Sequence, residues 1–135
     1  SASGAPAQEG YEQVDFETLL TQSDIISIHA PLNEHTEGLI DREAFEKMKP
    51  SCIFLNLGRG PIVDEQALYD ALVRNQIAAA GLDVLCEEPM SADNPLLKIK
   101  DSKRLLITPH IAWASVEART HLMEIIHGQV KDFFA

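Results

Sequence analysis

The chain has 135 residues, 45% of them hydrophobic and 24% charged, which suits one globular domain or part of one with a real buried core. Its net charge of −10 excludes a nucleic-acid-binding face, which needs clustered Lys and Arg, and argues equally against an anionic membrane surface. No apolar run approaches the length of a membrane span, and the opening SASGAPAQEG lacks the basic-then-apolar pattern of a signal peptide.

Residues 1–14 read as an irregular opening, the first ten being small and polar. FETLLTQ (16–22) has helical spacing, with Phe16, Leu19 and Leu20 on one side. DIISIHA (24–30) is a short β-branched run stopped by Pro31. Asp41 can cap REAFEKMK, whose apolar stripe is Ala44, Phe45 and Met48, with Pro50 just past the end. CIFLNL (52–57) is a buried-type strand broken by Gly58 and Gly60. Asp64 can cap EQALYDALVRN, with Leu68, Ala71 and Leu72 on one face. IAAAGLDV (77–84) and RLLITPH (104–110) are the third and fourth strands, and Ser115 opens a long amphipathic helix to about Phe134. Cys52 and Cys86 lie in apolar contexts without the close Cys or His partners of a zinc site. Both are expected to be reduced, buried small residues of a cytoplasmic protein, and no metal is expected.

Apolar strands that do not alternate predict burial on both faces, and helices between them predict a parallel sheet with right-handed crossovers. The expectation is α/β, doubly wound. Ligands of such sheets bind at the carboxyl ends of the strands. Those ends carry His29, Ala30 and Pro31; Asn56, Leu57, Gly58 and Arg59; Asp83, Glu87 and Glu88; and Thr108, Pro109 and His110.

Each residue has two readings. Arg59, between two glycines, suits a two-pronged clamp on a carboxylate, or is an exposed arginine in a tight turn. Glu88 and His110 come from neighbouring strand ends; they form a pair for proton transfer, or they are surface groups that never meet. A carboxylate beside an imidazole favours its protonated form and fixes its tautomer. Asp83 ends a strand of small residues that leaves room for a flat ligand, or it caps the following turn. His29 is read as supporting rather than transferring protons. Together an Arg, a Glu–His pair and an Asp suit a 2-oxo or 2-hydroxy acid, with the hydride coming from a nicotinamide cofactor.

The blocks HAPLNEHTEGLI, MKPSCIFLNLGRGPIVDEQALYDAL, AAAGLDVLCEEP and LLITPHIAWAS resemble, in order and spacing, the second half of the cofactor domain of the D-isomer-specific 2-hydroxyacid dehydrogenases. The last block is most similar to the glycerate dehydrogenase/hydroxypyruvate reductase branch. The resemblance implies that Arg59 orients the substrate and that Glu88 is the carboxylate partner of a catalytic His110. It implies that Asp83 contacts the nicotinamide carboxamide, and that Ala30, Pro31, Leu57, Gly58, Ala112 and Trp113 line the site of NAD or NADP. It also implies a small 2-oxo or 2-hydroxy acid as substrate, and a homodimer.

The family's earlier substrate domain, and the first Rossmann strands with their G-x-G-x-x-G turn, have no counterpart here. Residues 15–114 are therefore expected to be the second half of a dinucleotide-binding domain, and 115–135 a helix leading back toward a substrate domain. The expectation is a fragment of a longer oxidoreductase, with little turnover from the 135 residues alone. The alternative is a naturally truncated, non-catalytic nucleotide-binding or interaction module.

Overall fold

A computed structural model describes residues 10–134; the irregular opening expected over the first nine positions, and Ala135, lie outside the described residues. Every predicted helix starts at a side-chain cap. Asp15 accepts from the Thr18 amide at 2.7 Å and opens α1 (Phe16–Gln22). Asp41 accepts from the Ala44 amide at 2.9 Å and opens α2 (Arg42–Lys47). Asp64 accepts from the Gln66 and Ala67 amides at 2.9 and 3.0 Å and opens α3 (Glu65–Val73). Ser115 accepts from the Ala118 amide at 3.1 Å and opens α4 (Val116–Phe133). Caps of this kind contribute about 1 kcal/mol each by satisfying amides that the first helical turn leaves unpaired.

The strands are β1 (Ile25–Ile28), β2 (Ile53–Asn56), β3 (Ala79–Leu82) and β4 (Leu105–Ile107), in one parallel sheet of order β1-β2-β3-β4. The register aligns Ile28, Asn56, Leu82 and Ile107, so all four carboxyl ends reach the same edge. This is a Rossmann-like parallel α/β arrangement, as expected.

The core lies between the sheet and the layer of α1, α2, α3 and a short 3-10 helix at Pro95–Lys98. Phe45 of α2 and Phe54 of β2 meet edge to face with ring centroids 5.4 Å apart, and neither has exposed surface. Truncating either to alanine should cost about 3–5 kcal/mol, transfer and cavity together. Arg104 ties β4 to the end of α3: its guanidinium donates to the Asn75 side chain at 2.7 Å and to the Leu72 and Ile77 carbonyls at 2.7 and 3.2 Å. It thereby gives the Leu72 carbonyl of the last helical turn a second donor beside the Asn75 amide, and ties down the Ile77 carbonyl on the approach to β3.

Two expectations need correction. The strands are buried on one face, not both: Ile26, Phe54 and Ala80 are covered, whereas Ile25, Ile53 and Leu106 stay 61%, 40% and 60% exposed. All three crossovers step in the same direction across the sheet, and right-handed connections then place their helices on the same side. The second correction concerns Cys86. Cys52 is buried as expected, but Cys86 is exposed as a residue, since its loop has left β3; both are free thiols.

Candidate functional site

Each strand end is shaped by hydrogen bonds that begin one or two residues after the ladder stops. At the end of β2, Asn56 is 1% exposed and uses both halves of its amide. Its oxygen accepts from the Gly58 amide at 3.1 Å and its nitrogen donates to the Arg59 carbonyl at 2.9 Å. The turn that presents Arg59 is thus held from below. Arg59 is exposed, and one guanidinium nitrogen donates to the Gly58 carbonyl at 2.8 Å. Its other donors have no protein partner among the described residues and are available to an anion.

Gly60 brings this turn against the loop that follows β3. A Cβ at position 60 would lie 1.9 Å from the Leu85 oxygen and 2.5 Å from the Cys86 nitrogen, so only glycine allows the two backbones to touch. The close neighbour that Gly60 admits is thus the protein's own backbone.

That second loop carries Glu88. One carboxylate oxygen accepts from the Leu85 amide at 2.9 Å, and the other meets His110 Nδ1 at 2.8 Å. The Leu85 amide first, and His110 second, hold the Glu88 carboxyl below its ordinary range. The side chains of His110 and Glu88 are 43% and 38% exposed, so the pair stands at the rim rather than in the core. With Nδ1 committed to Glu88, Nε2 is the ring atom left to exchange a proton with a ligand.

Asp83 is 3% exposed and organises the turn after β4. One of its oxygens accepts from the Thr108 hydroxyl at 2.6 Å and the Ile111 amide at 2.9 Å; the other accepts from the Ala112 amide at 2.8 Å. Burial alone would push this carboxyl up, but those bonds, with the nearby His110, outweigh it and hold the group below its ordinary value. The clamped segment includes His110 itself, whose φ of +56° lies in the left-handed region that ordinary side chains avoid. Trp113 closes the turn by donating its indole N–H to the His110 carbonyl at 2.8 Å.

The predicted residues therefore fall into three groups. Asp83, Glu88 and His110 line an open cavity of about 640 Å³ with apolar walls that include Leu85, Met90 and Ile107. Ala30, Pro31, Leu57, Gly58 and Arg59 line a neighbouring cleft of about 470 Å³ together with His29. His29 also pairs its Nε2 with the Ser27 hydroxyl at 2.8 Å. Trp113 lines neither; it sits in a groove against Val116, Met123 and His127 at the start of α4. Ala112 enters through its amide on Asp83. The sequence placed Asn56 and Thr108 at strand ends without giving them a role, and it did not single out Glu65. The signal for Asn56 was present, a lone amide in an apolar strand, but the partners of Glu65 lie in a loop 21 and 29 residues away.

Comparison with known proteins shows the family and the fold. A family model described as D-isomer specific 2-hydroxyacid dehydrogenase, NAD binding domain, matches residues 2–112. A hydroxypyruvate reductase of Blautia hydrogenotrophica is 46% identical over 93% of this chain, which spans 38% of that protein. A glycerate dehydrogenase of Methylorubrum extorquens is 45% identical over 90% of the chain, again spanning 38% of the relative. Among solved structures, an acyclic imino acid reductase in complex with NADPH and D-Arg superposes with a TM-score of 0.86 at 36% identity, over 98% of this chain and 41% of that one. A D-lactate dehydrogenase from Lactobacillus jensenii with NAD+ gives 0.74 at 36% identity, over 83% of this chain and 37% of that one. The chain thus spans about two fifths of these relatives.

Proposed function

The chain belongs to the D-isomer specific 2-hydroxyacid dehydrogenases, and from that premise we propose that it carries the proton-handling side of an oxidoreductase interconverting a small 2-oxo acid and a D-2-hydroxy acid. The proposed substrates are of the hydroxypyruvate, glyoxylate or glycerate type. The observation that carries this reading is the 2.8 Å contact between Glu88 and His110 Nδ1 at the carboxyl edge of the sheet, beside a cavity.

In the reduction direction, Glu88 holds Nδ1–H of the imidazolium, and Nε2–H gives its proton to the oxygen that was the carbonyl. In the reverse direction Nε2 takes the hydroxyl proton. Arg59 holds the substrate carboxylate with the donors its backbone bond leaves over, and so sets the distance between reacting carbon and imidazole.

A cofactor fits the residues present. The cleft combines small or apolar groups at Ala30, Pro31, Leu57 and Gly58, suited to a flat ring, with the polar side chains of His29 and Arg59. Asp83 has three donors on the roughly four lone-pair positions of a carboxylate, which leaves one for a carboxamide N–H. Bound NAD or NADP would supply the hydride. Ala112 joins the proposed site through its amide on Asp83, whereas Trp113 lies in the α4 groove and supports the site through its bond to the His110 carbonyl.

Residues 15–114 are assigned to the second half of the cofactor domain, and 115–135 to a helix leading back toward a substrate domain. The apolar residues that α4 leaves exposed, among them Leu122, Met123 and Ile126, support this. A homodimer and a cytoplasmic setting, with both thiols free, belong to the same proposal.

The test is turnover of the longer protein with reduced NAD or NADP against hydroxypyruvate, glyoxylate and a 2-imino acid, with and without His110→Ala. A drop of about 100-fold or more in kcat is expected. Wild-type turnover in the His110→Ala protein would refute the acid–base assignment.

A further inference from the structure

Glu88 can serve His110 only if the loop that carries it is held still, and few contacts do that. Leu85, Cys86 and the residues up to Pro89 are outside the sheet, and Cys86, Glu87 and Glu88 are all exposed. Gly60 packs against its backbone and the Cys86 thiol donates to the Val63 carbonyl at 3.6 Å, but among the described residues one side chain from another element hydrogen-bonds to that backbone. Glu65, the first residue of α3, accepts from the Cys86 amide at 2.8 Å with one oxygen and from the Asn94 side-chain nitrogen at 2.7 Å with the other. Asn94 is buried, and its own oxygen is fixed on the Leu96 amide at 2.9 Å. It therefore cannot turn its amide around to offer an acceptor.

We propose that Glu65 is a positioning residue for the proton pair: it braces the Glu88 loop against α3 so that Glu88 meets His110 at hydrogen-bond distance. This deepens the function proposed above and rests on its reading of Glu88 and His110 as that pair.

The chemistry of the brace is specific. Both partners of Glu65 are donors, so the position requires two acceptors. A carboxylate supplies them; glutamine supplies one and turns an N–H₂ against the other donor. The brace also sits one residue from Leu85, whose amide is the other hold on Glu88. The negative charge of Glu65 is felt locally as well: burial first, and Glu65 second, push the Cys86 thiol up to about 11.

The polarity of the network suggests a reversal test. Glu65→Gln places a donor opposite a donor, and Asn94→Asp places an acceptor opposite an acceptor while keeping the oxygen that holds the Leu96 amide. The double variant restores both bonds with polarity reversed between positions 65 and 94. The readouts, by NMR on the 135-residue chain, are the titration midpoint of Glu88 and the Nδ1–H resonance of His110, with amide shifts elsewhere reporting the fold.

Each single variant should raise the Glu88 midpoint and weaken the His110 resonance, and the double variant should return both toward wild type. In the longer protein each single variant should lower kcat by on the order of 10-fold with KM unmoved, since Glu65 touches no substrate. Single variants that fold but leave Glu88 and His110 unmoved would overturn the proposal. So would a double variant no closer to wild type than the singles. If His110→Ala kept full turnover, the proton-pair reading would fail, while the NMR arms would still decide whether Glu65 holds Glu88.

Discussion

Gly60→Ala is the sharpest test of how the site is assembled, because a single methyl group separates the two loops that carry Arg59 and Glu88. The new Cβ would stand 1.9 Å from the Leu85 oxygen and 2.0 Å from its carbonyl carbon. Carbon atoms in contact prefer about 3.5–4.0 Å, so one loop must retreat by on the order of 1.5 Å. Neither can do so freely. The Cys86 amide is bonded to Glu65 and the Leu85 amide to Glu88, while Asn56 grips the Gly60 side of the turn through the Arg59 carbonyl. Overpacking costs about 1–3 kcal/mol where side chains can move aside. Here the obstacle is backbone, and retreat also breaks a charge-assisted bond of about 1.5–3 kcal/mol. The expected loss is therefore about 3–5 kcal/mol, read as a lower urea midpoint with an unchanged slope. Two other glycines act as controls. Gly58→Ala meets the Ala30 oxygen at 3.1 Å, the Ile28 oxygen at 3.4 Å and Ile28 Cγ2 at 3.5 Å and should cost less than Gly60→Ala, about 1 kcal/mol, whereas Gly128→Ala, with open space around it in α4, should gain about 0.5–1 kcal/mol. A Gly60→Ala chain within about 1 kcal/mol of wild type would refute the claim that the two backbones are in contact.

Other predictions follow from single groups. Asp83→Asn should destabilise the chain by about 2 kcal/mol near neutral pH, because the Ala112 amide loses its acceptor. The Asp83 carboxyl lies below its ordinary value in the folded chain, so its contribution is full above about pH 4 and is lost as pH falls through the folded value. Acid unfolding followed by circular dichroism should therefore be shallower in Asp83→Asn than in wild type. With the thiol raised to about 11, Cys86 should be alkylated slowly despite its exposure. Its thiolate fraction near pH 8 should be roughly 200-fold below that of a free cysteine, and fast native-state labelling would contradict the geometry. Arg104→Lys should cost about 1–2 kcal/mol by thermal melting, since an ammonium cannot span the Asn75 side chain and both carbonyls.

The elements were legible because their signals are local. Asp41, Asp64 and Ser115 each cap the helix that begins at the next residue. The strands were read from β-branched runs ended by Pro31, Gly58 and Pro109. Parallel pairing then placed the ends of β3 and β4 side by side, which is why Glu88 and His110 could be paired without coordinates. What could not be read was the partner of each polar group. Asp83 was weighed as a cap for its own turn, yet its three donors come from residues 25 to 29 positions away. Cys86 follows an apolar strand and looked buried, but strand pairing stops at Leu82 and a loop has begun. The strands' apolar character on both sides predicted two covers, whereas the described helices supply one.

The left-handed conformation of His110 shows which requirement shaped the turn. A non-glycine residue at φ +56° costs about 1–2 kcal/mol relative to ordinary backbone, and glycine would carry no such penalty. His110→Gly removes that strain, adds chain entropy of about 0.5–1 kcal/mol in the unfolded state, and gives up a half-exposed contact with Glu88 worth about 0–1 kcal/mol. These effects nearly cancel, so the variant should unfold within about 1 kcal/mol of wild type. Asp83→Asn, by contrast, should be clearly less stable, although Asp83 is only the support and His110 the group it presents. Stability therefore gives no reason for histidine at this position, and the proposed proton transfer does. The two variants can be compared in one set of urea titrations on the 135-residue chain. If His110→Gly lost as much stability as Asp83→Asn, the imidazole would be holding the turn rather than being held by it, and the order of cause inferred from the Asp83 bonds would be reversed.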